Sequence, residues 1–203
     1  MRDLFSARHT PYNDVTLIGG EGAMAIAKSV QEILDSLEPG AARLQKTPHR
    51  VAKACEELFR GYSQSPAQLA GDALYEAPTS EMVVLCDIPF ASTCEHHMLP
   101  IVGHAHVGYL PDRTILGASK LARFVDCFAH RLQLQERLTV EIAQALHQVV
   151  APQGVAVAIR AEHFCMTQRG VQKSGAQLVT RHFSGVFCSD RDLREEFLRT
   201  CHL

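Results

Sequence analysis

Apolar residues recur at helical spacing in five stretches of the chain and cluster or alternate as in strands in four others. Ile26, Val30, Ile33, Leu34 and Leu37 mark a helix over about 22–37. Thr47-Pro48 has the form of an N-cap followed by proline, and Gly61 closes a second helix over about 48–60. Ser65-Pro66 opens a shorter one. EMVVLCDIPF (81–90) is β-rich, and over 104–110 Ala105, Val107 and Tyr109 alternate with His104, His106 and Gly108. Two further helices follow, one with Ser119 as its expected N-cap and one over about 134–150. The stretches 155–166 and 177–187 read as strands, and 190–200 as a last helix.

Paired strands on either side of a helix pair predict an α+β fold with an antiparallel sheet, not an alternating α/β fold. Residues 1–18 are mixed and polar and read as an arm. Residues 19–203 read as a single domain whose part over 19–75 is helical. Four main strands leave a sheet with two edges, which a lone subunit must protect. Assembly between subunits is therefore expected.

Composition narrows the class. The 203 residues are 46% hydrophobic and 21% charged, as in globular proteins, with 20 Lys+Arg against 22 Asp+Glu. No apolar run approaches a membrane span and MRDLFSARHT lacks a secretory leader's apolar segment, so a cytoplasmic protein without membrane attachment is expected. The near-neutral balance, without a basic block, disfavours nucleic acid. The 11 His and 7 Cys stand out. An odd cysteine count at irregular spacing is not a disulfide framework, and Cys55, Cys86 and Cys127 read as small buried hydrophobes. Among the basic residues 15 are Arg and 5 Lys, a mild bias toward planar donors for phosphate or carboxylate.

Chemistry concentrates in a few segments. Cys94 and His97 stand at C-x-x-H spacing in STCEHH (92–97), and His163 and Cys165 are two apart in a stretch expected to be strand, so they should share a face. Cys94, His97 and Cys165 could hold zinc, leaving His96 and His163 unligated. On spacing alone, core thiols beside a polar turn are an equally good reading. His104 and His106 offer a weaker rival site. Arg50 and Lys53 lie on one helix start, Ser119, Lys120 and Arg123 on another, and Arg169 follows the Cys165 stretch. Each is a potential anion contact or simply a solvated helix end. Glu136 heads a further helix, where a carboxylate either serves the dipole or accepts the paired N–H donors of a guanine.

Together, TPHRVAK (47–53), STCEHHMLPIVG (92–103), GYLP (108–111), SKLAR (119–123), RLQLQERLT (131–139), HFCM (163–166) and RGVQK (169–173) closely resemble the GTP cyclohydrolase I family. The resemblance implies a tunnelling fold (T-fold), with antiparallel sheets closing into a barrel across the subunits of a homodecamer. It implies zinc on Cys94, His97 and Cys165. It also implies conversion of GTP and water to 7,8-dihydroneopterin triphosphate and formate, with His163 and His96 moving protons. Glu136, supported by Gln135, would anchor the guanine, and Ser119 would bond ribose or phosphate. Lys120, Arg123 and Arg169, with Arg50 and Lys53 close by, would hold the triphosphate, some from a neighbouring subunit. The chain departs from the family pattern at Ala118 and at Arg181-His182. A surface-facing Arg181 is the simpler reading. The alternatives are a paralogue acting on another purine nucleotide and a non-catalytic, zinc-stabilised assembly subunit.

Overall fold

The computed structural model describes residues 20–203; the arm expected over 1–18 lies outside them. The described residues fall into two compact units, the first ending at Ser63 and the second running Gln64–Leu203. That boundary falls inside the helical stretch expected over 19–75.

In the first unit, α1 (Gly20–Leu37) packs against α2 (Thr47–Leu58). Thr47 is the first residue of α2 and not its cap. Lys46 holds the N-cap position without a side-chain bond, and Pro48 fills the first turn, where its missing N–H costs nothing.

The second unit opens with α3 (Pro66–Ala70) and β1 (Leu74–Glu76). Two long strands follow, β2 (Val83–Cys94) and β3 (Pro100–Leu110), then β4 (Thr114–Leu116). Next come α4 (Ala118–Ala129), β5 (Leu132–Gln133), α5 (Gln135–Val150) and β6 (Gly154–His163). The chain ends in α6 (Phe164–Thr167), β7 (Gln177–Gly185), α7 (Val186–Ser189) and α8 (Arg191–Thr200). β1 pairs with β4, and the main sheet has the order β5-β2-β3-β6-β7, antiparallel except for β5 beside β2. This is the expected α+β architecture with flanking helices. β5 meets β2 only at Thr93 and Cys94, so most of β2 and the outer side of β7 are sheet edges among the described residues.

One face of the sheet carries Ala105, Val107, Tyr109, Val155, Val157 and Ile159 against α4 and α5, which contribute Leu121, Phe124, Leu138, Ile142 and Leu146. The other face carries Ala156 and Ala158 under Phe187, Phe197 and Cys201 of the C-terminal helices. Gly108 permits that second layer, because a Cβ there would stand 2.8 Å from the Phe197 ring. Asp190 caps α8, its carboxylate accepting from Leu193 N at 3.0 Å.

β2 changes faces part-way. Leu85 pairs with Val107 and Ile88 with Ala105, so Cys86 and Asp87 together oppose the single residue His106. Asp87 takes up the extra residue at φ 52°. Before this bulge Val84 and Cys86 point to the α8 face; after it Ile88, Phe90 and Cys94 point to the α4/α5 face.

Candidate metal centre

Three chain segments end at one corner of the sheet. β2 stops at Cys94, β3 starts at Pro100, and β6 stops at His163, whose register partner is Ile101. The turn between β2 and β3 closes on itself: Cys94 N donates to Leu99 O at 2.9 Å and Met98 N to Cys94 O at 2.8 Å. Glu95 fastens it to α5. Its carboxylate takes the Arg137 guanidinium at 2.5 Å while its N–H donates to Gln133 O at 3.0 Å. Glu95 and Arg137 had no role in the sequence reading. The only signal was their opposite charge in two motif segments.

The turn sets Cys94 inward and leaves His96 and His97 exposed. Cys165 arrives by a different route from the one expected. The strand ends at His163, and Cys165 sits in the helical turn α6, so the two residues do not share a strand face. The winding still delivers the thiol. One donor atom each from Cys94, His97 and Cys165 lies within 4.8 Å of the others. Burial pushes the Cys165 thiol up, and the neighbouring Cys94 sulfur pushes it further. Thiolate, imidazole and thiolate are a donor set suited to zinc.

The groups around this trio are equally placed. His96 Nδ1 is 4.0 Å from Cys94 Sγ, and an Arg169 guanidinium nitrogen is 3.4 Å from His97 Nε2. His163 Nε2 meets Gln135 Oε1 at 2.8 Å. The Gln135 amide nitrogen lies 3.2 Å from Ile159 O, 3.0 Å from Leu178 O and 3.1 Å from Thr180 Oγ1. Those acceptors fix the amide so that Oε1 faces the imidazole, and an oxygen can only accept. His163 therefore carries its proton on Nε2 and presents a lone pair at Nδ1. Burial lowers the His163 pKa, partly offset by the Glu136 charge. Gln135 is fully buried and spent on these contacts, whereas Glu136, one residue on, is exposed.

The remaining basic residues are elsewhere. Ala129, at the end of α4, accepts from Ser92 Oγ at 2.7 Å, two residues from Cys94. Ser119 is ten residues earlier on that helix, about 15 Å along its axis. It lies in the first turn, after the N-cap Gly117, and does not cap the helix as expected. Ser119 and Arg123 are exposed and Lys120 is half-buried. Arg50 and Lys53 are exposed on α2 in the first unit. Arg181 is exposed and pairs with Ala158, while His182 is half-buried and pairs with Val157.

The family profile described as GTP cyclohydrolase I matches residues 26–202. This chain belongs to the GTP cyclohydrolase I family. A GTP cyclohydrolase 1 of Gloeobacter violaceus is 49% identical over 81% of this chain and 77% of its own length. One from Dictyostelium discoideum is 49% identical over 83% and 74%, and one from Chlorobium phaeovibrioides 45% identical over 92% and 85%. Among solved structures, an archaeosine synthase QueF-Like in the apo form aligns at TM-score 0.45 and 21% identity, over 54% of this chain and 97% of that one. Membership in the family agrees with the resemblance drawn from STCEHH, QERLT and HFCM. No described helix is long and apolar enough to cross a membrane.

Proposed function

We propose that this chain is a zinc-dependent GTP cyclohydrolase I that converts GTP and water to 7,8-dihydroneopterin triphosphate and formate. The observation that carries the reading is the corner itself: Cys94, His97 and Cys165 donors within 4.8 Å, flanked by His96, His163 and an exposed Glu136. These three residues would hold the ion, and a zinc bound there supplies Lewis acidity strong enough to bring the pKa of a coordinated water to about 7.

The chain's own groups do the rest. His163, neutral because burial lowers its pKa, offers Nδ1 as a base at neutral pH, and Gln135 keeps the tautomer from inverting. Gln135 thus serves through His163 and not by touching the base. His96, exposed beside Cys94, is the second proton carrier. The Glu136 carboxylate accepts N1–H and the 2-amino group of guanine, which sets the purine against His163. Arg169 supplies charge on the metal side. Along α4, Ser119 and Lys120 lie about 14–15 Å and Arg123 about 9 Å from the residue that meets Ser92 in their own chain, which supports their serving the corner of a neighbouring subunit. Arg50 and Lys53 are the further basic residues proposed for the triphosphate. The open edges of β2 and β7 support a barrel closed by copies of this chain, as in a homodecamer.

Zinc-loaded protein incubated with GTP should release formate and a product that becomes fluorescent on oxidation. No product from a zinc-replete, assembled sample would sink the reading. A second reading, another purine nucleotide as substrate, draws on His182, which is half-buried two residues beyond the Thr180 that contacts Gln135. Relative turnover of GTP, dGTP and GDP decides between them.

A further inference from the structure

A second thiol–imidazole cluster lies on the opposite face of the sheet. Cys86 comes from the β2 bulge, His106 from the β3 position opposite it, and Cys201 from the residue that closes α8. They are 20 and 95 residues apart in sequence, and nothing in their spacing announces them. One donor atom of each lies within 4.8 Å of the others. His106 and Cys201 are each 3% exposed.

The two sulfurs are 3.6 Å apart. Two thiolates on a tetrahedral zinc, at about 2.3 Å each, stand about 3.8 Å from one another, whereas a disulfide requires about 2.05 Å. The observed spacing, now bridged by a thiol–thiol hydrogen bond, would let both sulfurs share an ion with little movement. His106 Nδ1 accepts only a long bond, 3.3 Å from Asp87 N, and its Nε2 is 4.0 Å from the Asp87 carboxylate. Ligation through Nδ1 would replace the long bond and leave Nε2–H directed to a carboxylate, the usual outer support of a metal-bound histidine. Asp87 owes its position to the same bulge, where a non-glycine residue is held at φ 52°. His104, Arg160 and His202 also act electrostatically on His106. Without a cation, burial and the Cys86 sulfur both hold the Cys201 thiol protonated. An ion would convert the pair to thiolates and neutralise them.

We propose that Cys86, His106 and Cys201 form a second binding site, for a zinc-class divalent ion, that fastens the C-terminal helix to the sheet. The site is separate from the catalytic corner and does not depend on the reaction proposed there.

Zinc per subunit, measured on full-length protein purified under reductant, tests it. The unmodified chain should carry two ions. Cys86→Ser should carry one and keep its cyclohydrolase turnover within about twofold. Cys165→Ala should also carry one and lose turnover, and chelation should then lower its melting temperature. His106→Gln repeats the Cys86→Ser measurement should that variant fail to fold. With cobalt in place of zinc, Cys165→Ala should retain a thiolate-to-cobalt charge-transfer band that Cys86→Ser/Cys165→Ala lacks. A single ion in the unmodified chain with none in Cys165→Ala would overturn the site. So would one ion per subunit together with a Cys86–Cys201 disulfide, detected as two thiols lost to titration until reductant is added.

Discussion

The two clusters share a donor set and differ in everything around it. At the sheet corner the trio is partly open and its histidine is exposed, His96 and Arg169 stand beside it, and His163, two residues from Cys165, lies within the field of the Glu136 carboxylate. Beneath α8 the trio packs with Phe187 and Phe197, and the Asp87 carboxylate stands 4.0 Å from its histidine. Two cysteines and a histidine therefore do not define a chemistry. Access for substrate, and groups free to move protons beside the ligands, separate a catalytic centre from a clamp.

Mutations should respect that division, most strongly at the corner. Cys94→Ala removes one of the three donors at the corner. Turnover should fall by more than the roughly 100-fold typical of losing only outer support, and bound zinc should drop by one ion per subunit. His163→Ala should lower kcat by about 10²–10⁴-fold while leaving zinc content unchanged, a split that separates proton transfer from ligation. Gly108→Ala sharpens the other side. Its Cβ would crowd the Phe197 ring at 2.8 Å, and the expected cost is about 1–3 kcal/mol of stability in chemical denaturation, with the corner's turnover preserved.

The smallest effect is a pH dependence. Burial lowers the folded-state pKa of His182, so below the unfolded value of about 6.5 the unfolded chain takes up the proton first. Stability is thus complete above that pH and is lost as the pH falls from there toward the folded pKa. Denaturation midpoints at pH 8 and pH 5.5 should differ less in His182→Gln than in the unmodified chain.

Much of this was legible in the sequence, and the gaps have physical causes. Periodicity found every long helix and all four long strands because each has one face to bury, as Leu138, Ile142 and Leu146 do on α5. It missed β1, β4 and β5, which are too short to show a period, and it ran β6 through Cys165 because HFCM is as apolar as a strand. The corner of Cys94, His97 and Cys165 could be read because its residues cluster within motifs. Gln135 was placed on the substrate, yet its full burial and the 2.8 Å contact to His163 appear only once α5 is set against β6 and β7. Cys86 was read as a small buried hydrophobe and His106 as a partner for His104. The bulge pairs both with Cys201 instead, and His104 stays exposed.

That bulge also constrains how this gene can vary. Deleting one residue at 86–87 would leave Leu85 opposite Val107 and Ile88 opposite Ala105 in strict alternation, so Ile88, Phe90 and Cys94 would still face the α4/α5 core while the doubled position opposite His106 is lost. Moving the extra residue further along β2 would keep Cys86 opposite His106 and Cys94 in place but turn Ile88 out of the α4/α5 core. The inserted residue thus shapes the cluster beneath α8 alone, and its loss at that point leaves the frame of the sheet corner unchanged.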